Sequence, residues 1–466
     1  LHAFNATTGS ELFAYVPSSL YANLGNLTAT DYSHHYYVDG SPTVIDVFIN
    51  KQWRTILAGG LNGGGQGIYA LDVTDPASFS ETNASNIVKW EFTDQNDIDL
   101  GFTYSQPSIT RLANGQWAAI FGNGYNTTTD DGRASTTGNA VLYIVNIDTG
   151  AIIKKFDTGI GMSADPLGLA RPNGMSSPVV VDRDGNSIAD LVYVGDLYGN
   201  LWKIDISSTN VNQWDFSFKS GSTPLPFFVA RDANGNRQPI TIKPTVSRLD
   251  VDPAGLQIYI GTGQYLESSD KTNTNVQSVY ALRDTNATVI ASRAELRQQV
   301  ILQEEENTRV TSEYLLANNE RGWYMDLTVN NVQRGERVIA NMLFLNGKII
   351  FTTIIPTEDP CDFGGESWLM ELNAYTGARL NYHVFDLNND GSFGEGDAVS
   401  YSDGGDTTGV VASGYNPNVG LTNIPSVLNA GSQEFKYLAG TSGSIKKVTE
   451  NPGTDRFGRQ SWQQLR

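Results

Sequence analysis

The sequence predicts an all-β protein built as a β-propeller, and three repeated patterns carry that prediction. Short apolar strands that open on a proline come first: SPTVIDVFI at Pro42, QPSITRL at Pro107, SPVVVD at Pro178, KPTVSRL at Pro244 and IPSVLN at Pro425, the first four spaced 65, 71 and 66 residues apart. Proline suits the first position of a strand, where no ladder donor is needed. A strand ending in glycine follows each (TILAGG, AAIFGNG, LVYVGD, IYIGTG, KYLAGTSG), and then a third strand: GIYALDV, AVLYIVN, NLWKIDI, SVYALRD, SWLMELN and SIKKV. Some strands turn back through Thr-Gly, as in NATTGSELF, NIDTGAIIKKF and NAYTGARLNY, where glycine takes the positive φ that closes a hairpin. Three to four strands per unit, repeated about six or seven times, is a propeller pattern. Two β-sandwiches are the alternative; the regular order of glycine-ended second strand and Tyr/Trp-bearing third strand favours the propeller.

Between Pro244 and Pro425 the pattern weakens. One degenerate unit centres on RVIANMLFLNGKIIFTTII, and ASRAELRQQVILQEEE reads as a short helical insertion. Residues 1–466 are expected to form a single β-propeller domain. The opening LHAFNATTGSELFAYV reads as the middle of a strand pair, so a fragment of a longer polypeptide is expected.

Composition narrows the function. With 50 acidic against 31 basic residues the net charge is −19, which repels nucleic acid and anionic membranes and offers carboxylates to cations. No apolar run is long enough for a membrane-spanning helix, so no membrane insertion by this stretch is expected. The single cysteine, Cys361, cannot form a disulfide within the chain.

Two acidic loops carry the chemistry. DRDGNSIAD places Asp182, Asp184, Asn186 and Asp190 at its first, third, fifth and ninth positions, with the Ile188 carbonyl at the seventh. That is an oxygen set suited to Ca2+, which takes six to eight hard ligands in a flexible shell. Its flanks, PVVV and LVYVG, read as strands, so sheet edges replace the helices of an EF-hand. An Asx-turn without metal is the plainer reading. DLNNDGSFGEGD follows the EF-hand order more closely: Asp386, Asn388, Asp390, Gly391 for the sharp turn, the Ser392 carbonyl, and Asp397 at position 12. Aspartate in place of the usual glutamate at position 12 shortens the reach. A second Ca2+ is expected there, with a solvated loop as the alternative.

Other motifs carry less. DANGN (Asp232 to Asn236) reads as an ordinary turn, GGLNGGGQG as hairpin slack, and RGE (Arg334 to Glu336) as a surface turn. No zinc spacing and no nucleophile elbow occur among the residues. No catalytic residue is assigned.

The segments LHAFNATTGSELFAYVPSSLYANL, WRTILAGGLNGGGQGIYALDVTDP, QPSITRLANGQWAAIFGNGYN, VDRDGNSIADLVYVGDLYGNLWKIDI and PCDFGGESWLMELNAYTG resemble the C-terminal propeller of the PilY1/PilC proteins, type IV pilus biogenesis factors and pilus-tip adhesins. The resemblance implies a modified seven-bladed propeller, an exported protein of the bacterial cell surface, pilus tip or outer membrane, and partners among the minor pilins with host-cell surface receptors also in reach. It also implies that calcium in the 182–190 loop regulates pilus extension against retraction, and with it twitching motility and virulence. Two departures stand out: the first unit starts one strand late, and no Arg-Gly-Asp occurs. A rival from another class is a quinoprotein dehydrogenase, whose blades carry an A-x-D-x-x-T-G turn that AFNATTG approaches. It would need pyrroloquinoline quinone in a funnel beside a catalytic aspartate.

Overall fold

The computed structural model describes residues 1–129, 132–249, 255–285, 288–359, 362–402 and 407–453; Cys361 lies outside them. The chain divides into two compact units, Leu1–Phe228 and Val229–Arg466.

In the first unit, a hairpin of His2–Phe4 and Glu11–Ala14 precedes three antiparallel sheets whose strands follow chain order. Sheet I comprises Thr43–Ile49, Gln52–Gly60, Gly67–Asp72 and Val88–Thr93. Sheet II comprises Ser108–Arg111, Trp117–Gly122, Val141–Asn146 and Ile152–Asp157. Sheet III comprises Val179–Val181, Leu191–Gly195, Asn200–Asp205 and Asp215–Phe216. In the second unit, sheet IV comprises Thr245–Arg248, Leu256–Gly261, Ser278–Asp284 and Gly322–Val329. Sheet V comprises Leu343–Leu345, Lys348–Pro356, Gly365–Asn373 and Gly414–Tyr415, and sheet VI comprises Ser426–Asn429, Glu434–Ala439 and Ile445–Glu450. Five of these six first strands begin on the residue after a predicted proline. The exception is sheet V, the degenerate unit, where Met342 stands in that place.

The first strands of neighbouring sheets are stitched by one repeated bond. The hydroxyl just past the proline donates to the carbonyl at the equivalent point of the next sheet: Thr43 Oγ1 to Pro107 O at 2.7 Å, Ser108 Oγ to Pro178 O at 3.0 Å, and Thr245 Oγ1 to Met342 O at 2.8 Å. Proline leaves no N–H there to compete. Middle strands are covered on both faces, which is why they read as unbroken apolar runs. Ile349 and Phe351 pack with Tyr259, Val279 and Trp323 of sheet IV, while Ile350 between them packs with Leu438 and Val448 of sheet VI.

The Thr-Gly turns have a second use. Trp90 of sheet I donates from Nε1 to Ile147 O at 2.9 Å and lies on Gly150, where a Cβ would come 2.7 Å from the indole Cγ. Trp323 of sheet IV donates to Ala374 O at 2.9 Å and covers Gly377, where a Cβ would approach Cδ2 to 2.4 Å. Both glycines also hold positive φ, +70° and +71°, so they serve the turn and the tryptophan together. At Gly9, the equivalent turn of the opening hairpin, no described atom lies within 4 Å.

Three expectations are corrected. The helical insertion is a single 3-10 turn, Arg293–Glu295, followed by a strand, Arg297–Glu305. That strand pairs parallel with Gly322–Val329 and antiparallel with Thr308–Thr311, which itself pairs with Gly414–Tyr415, so the hairpin joins sheets IV and V. The helical signal was the capping box of Ser292 and Glu295, which closes only that one turn. RGE is not a surface turn: Gly335 and Glu336 are buried, and Glu336 receives both terminal nitrogens of the fully buried Arg309 at 2.6 and 2.8 Å. The glycine-rich loop is not slack either, since a Cβ at Gly64 would meet the Tyr37 carbonyl oxygen at 1.7 Å. Its glycines let two backbone segments touch.

Candidate metal centre

Sheet III builds the first loop. Val181 ends one strand and Leu191 begins the next, and Asp190 N donates to Val181 O at 2.9 Å, closing the loop at its neck. Within it, Asp182 acts as a hub. Its Oδ1 accepts from Gly185 N at 2.7 Å and Asn186 N at 3.1 Å, and its Oδ2 accepts from Ser187 N at 2.7 Å. Gly185 and Ser187 hold positive φ, +80° and +66°, which folds those amides inward. Asp184 Oδ1 accepts from Asn186 N at 3.1 Å, Asn186 Oδ1 from Ile188 N at 2.8 Å, and Asp190 Oδ2 from Arg183 N at 2.7 Å. The Asx-turn reading is therefore realised in part, because Asp182, Asp184, Asn186 and Asp190 are each aimed by a backbone amide.

That wiring gathers charge. Carboxylate oxygens of Asp182, Asp184 and Asp190 lie within 4.8 Å of one another, the one such set of three His, Cys, Asp or Glu ligands found among the described residues. Asp182 and Asp190 are half-buried and Asp184 is exposed, so the set opens to solvent. Three carboxylates at that spacing repel unless a cation sits between them, and all are hard oxygen donors. With Asn186 Oδ1 and the Ile188 carbonyl, the donor set fits calcium better than a thiolate- or imidazole-seeking metal.

One tether escaped the sequence. Ala189, at the eighth loop position, donates from N to Arg111 O at 2.9 Å, and it bridges to Leu112 in parallel. The loop of sheet III is thus fixed to the end of the first strand of sheet II.

The second loop repeats much of this wiring. Asp386 Oδ1 accepts from Asp390 N at 3.1 Å and Oδ2 from Gly391 N at 3.1 Å, while Asn388 Oδ1 accepts from Asp390 N at 2.9 Å. Ser392 N donates to Asp390 Oδ1 at 2.8 Å, and the neck closes through Leu387 N to Asp397 Oδ1 at 2.8 Å. The flanks are extended: Phe385 bridges Glu450, Asp386 N donates to Thr449 O at 3.1 Å, and Val399–Tyr401 is a strand. Asp397 is buried and also accepts from Gly394 N at 3.0 Å across the 3-10 turn Glu395–Asp397. The structure does not bring Asp386, Asp390 and Asp397 together as it does the three aspartates of the first loop. The Ser392 hydroxyl, then its amide and Asn388, hold the exposed Asp390 carboxyl below its usual range. Asp232, in DANGN, accepts from Asn234 N and Asn236 N at 2.8 and 2.9 Å, an ordinary turn as expected.

Comparison with known proteins agrees with this architecture. A family model described as the PilY1 beta-propeller domain matches residues 1–314. A type IV pilus biogenesis factor PilY1 homolog of Xylella fastidiosa is 38% identical over the whole chain, and PilY1 of Pseudomonas aeruginosa is 33% identical. The chain spans 32% and 40% of the length of these two relatives. The crystal structure of the P. aeruginosa PilY1 C-terminal domain superposes with a TM-score of 0.76 at 30% identity, covering 97% of this chain and 90% of that domain. The repeated sheets described above are those of a β-propeller domain, and the chain belongs to the PilY1 family.

Proposed function

We propose that this chain is the propeller module of a type IV pilus biogenesis factor at the bacterial cell surface, and that it binds calcium in the 182–190 loop as a regulatory ligand. The observation that carries the reading is the convergence of Asp182, Asp184 and Asp190 in a chain of the PilY1 family. Calcium neutralises the cluster and braces two strand ends, so filled and empty loops present different surfaces. A pilin partner that distinguishes them couples occupancy to extension or retraction of the fibre; equal affinity for both would shift nothing. The minor pilins of the pilus tip are the partners this requires, and adhesion to surfaces or host-cell receptors is the role of the fibre so maintained. A second calcium in the 386–397 loop belongs to the same proposal. The turn that suggested a quinoprotein, AFNATTG, ends at Gly9, which seats no tryptophan, whereas the turns at Gly150 and Gly377 seat Trp90 and Trp323.

The test places alleles of the full-length protein in a piliated bacterium. Asp190→Ala should lose calcium in the first loop and lose surface pili, and deleting the retraction motor should restore them. Asp190→Lys, which puts a cation beside the carboxylates, should keep pili. Normal piliation and twitching in the Asp190→Ala strain, with calcium loss verified by titration, would overturn the regulatory reading.

A further inference from the structure

Five charged side chains meet in the interior of the second unit, all with no exposed surface: Lys348 and Glu371 of sheet V and Glu434, Lys436 and Glu450 of sheet VI. Lys348 Nζ lies 2.8 Å from Glu371 Oε2 and 3.7 Å from Glu434 Oε1. Lys436 Nζ lies 2.6 Å from Glu371 Oε1 and 2.7 Å from Glu434 Oε1, and it also bonds Glu450 Oε2. Ile350, Leu369, Leu438 and Val448 pack in the same core. On the segment that bridges Glu450 through Phe385, His383 keeps Nδ1 buried without a partner.

The charges do not balance. Three carboxylates face two ammonium groups, and a surplus charge in an apolar core is costly. Glu371 and Glu450 converge on one ammonium group, Lys436 Nζ, so two carboxylates share a single positive charge between them. Glu450 Oε1 and Glu434 Oε2 are buried without a hydrogen-bond partner.

We propose that this cluster is a proton-binding site, in which one proton, held on Glu450 beside Glu371, neutralises the surplus charge and locks sheet VI onto sheet V. Burial first, and then the charge of Glu371, push the Glu450 carboxyl well above its ordinary range. Burial opposes ionisation of Glu371 as well, yet Lys348 and Lys436 hold it below the usual range. For Glu450 the folded state binds the proton more tightly than the unfolded chain. Its stabilising contribution is therefore full below the ordinary value of 4.5 and is lost as pH rises toward the folded value. The lock weakens with alkalinity.

Thermal melts from pH 6 to 9.5 test this, with every variant carrying His383→Asn to remove the neighbouring imidazole. Glu450→Gln keeps the neutral form permanently. It should melt close to its parent at pH 6 and gain on it by roughly 3 °C per pH unit above that, until the parent's proton is lost. Glu371→Gln removes the carboxylate that contacts both Lys348 and Lys436 and should melt lower at every pH, by on the order of 10 °C. Infrared spectra of the unmutated chain at pH 7 should contain the C=O stretch of a buried protonated carboxyl, and this readout stands even if a variant fails to fold. Absence of that band, or a Glu450→Gln protein as destabilised as Glu371→Gln with the parent's pH profile, would overturn the proposal.

Discussion

The two acidic loops share their wiring and differ in where the last carboxylate points. In both, the first aspartate gathers backbone amides, the fifth residue donates to the first and third, and the second residue donates to the final aspartate. In the first loop that final aspartate sits one residue before a strand and joins the other two carboxylates. In the second, the extra residues form a short 3-10 turn, and Asp397 spends its Oδ2 on Gly394 N inside it. The lesson is that hydrogen bonding alone can shape such a loop, whereas gathering charge takes a neck short enough to return the last carboxylate to the others.

Three experiments break or sharpen that contrast. The largest effect is expected from Asp182→Ala, which removes a ligand together with the acceptor for three amides. Calcium affinity at that loop should fall at least about 100-fold from a starting Kd on the order of 10⁻⁴ M. Calorimetry should then count one site fewer, while Asp386→Ala leaves the tighter site intact. If both variants lost the same site, the loops would not be independent. A smaller effect, about tenfold tighter binding at the second loop, is expected from Asp397→Glu, because the longer side chain recovers the reach of the usual EF-hand ligand. Unchanged affinity would show that reach is not what separates the loops.

The smallest effect is in pH dependence. The Asp390 carboxyl lies below its usual range because the Ser392 hydroxyl, its amide and Asn388 donate to it. A lowered value means that the bonds it accepts stabilise the loop above the ordinary carboxylate range and are lost as pH falls through the lowered value. The Ser392 amide should thus stay protected from exchange in NMR at pH 4.5, and Ser392→Ala should move the loss of protection to higher pH by a fraction of a unit. Equal profiles would remove the hydroxyl from the account.

Much of the scaffold was legible because its signals are local. A proline before a strand, a Thr-Gly in a turn and a D-x-D-x-N spacing each act within a few residues, and the structure places Thr43, Ser108, Val179, Thr245 and Ser426 as strand starts accordingly. What was misread depends on distant partners. RQQVILQEE suits either period over so short a run, and only pairing with Gly322–Val329 and Thr308–Thr311 makes it a strand. Glu336 looks exposed until Arg309 arrives from elsewhere in the chain to meet it. The charge cluster is spread over positions 348, 371, 434, 436 and 450, so no short window contains it. One hint was present: in EFKYLA the inward positions are Glu434, Lys436 and Leu438, a charged face where an apolar one is the norm.

The tryptophan seats have a consequence for modularity. Trp90 belongs to sheet I, but its ring and indole N–H are satisfied by the turn ending at Gly150 in sheet II; Trp323 and Gly377 link sheets IV and V in the same way. The sheets are therefore not the exchangeable parts of this molecule. A truncation or graft that cuts between Thr93 and Ser108 keeps every strand of sheet I and yet bares a large indole with an unmet donor. Cuts placed after the seat, beyond Gly150 or Gly377, preserve the pair, so the natural boundary for swapping repeats between relatives is offset from the visible sheet boundary by more than a strand.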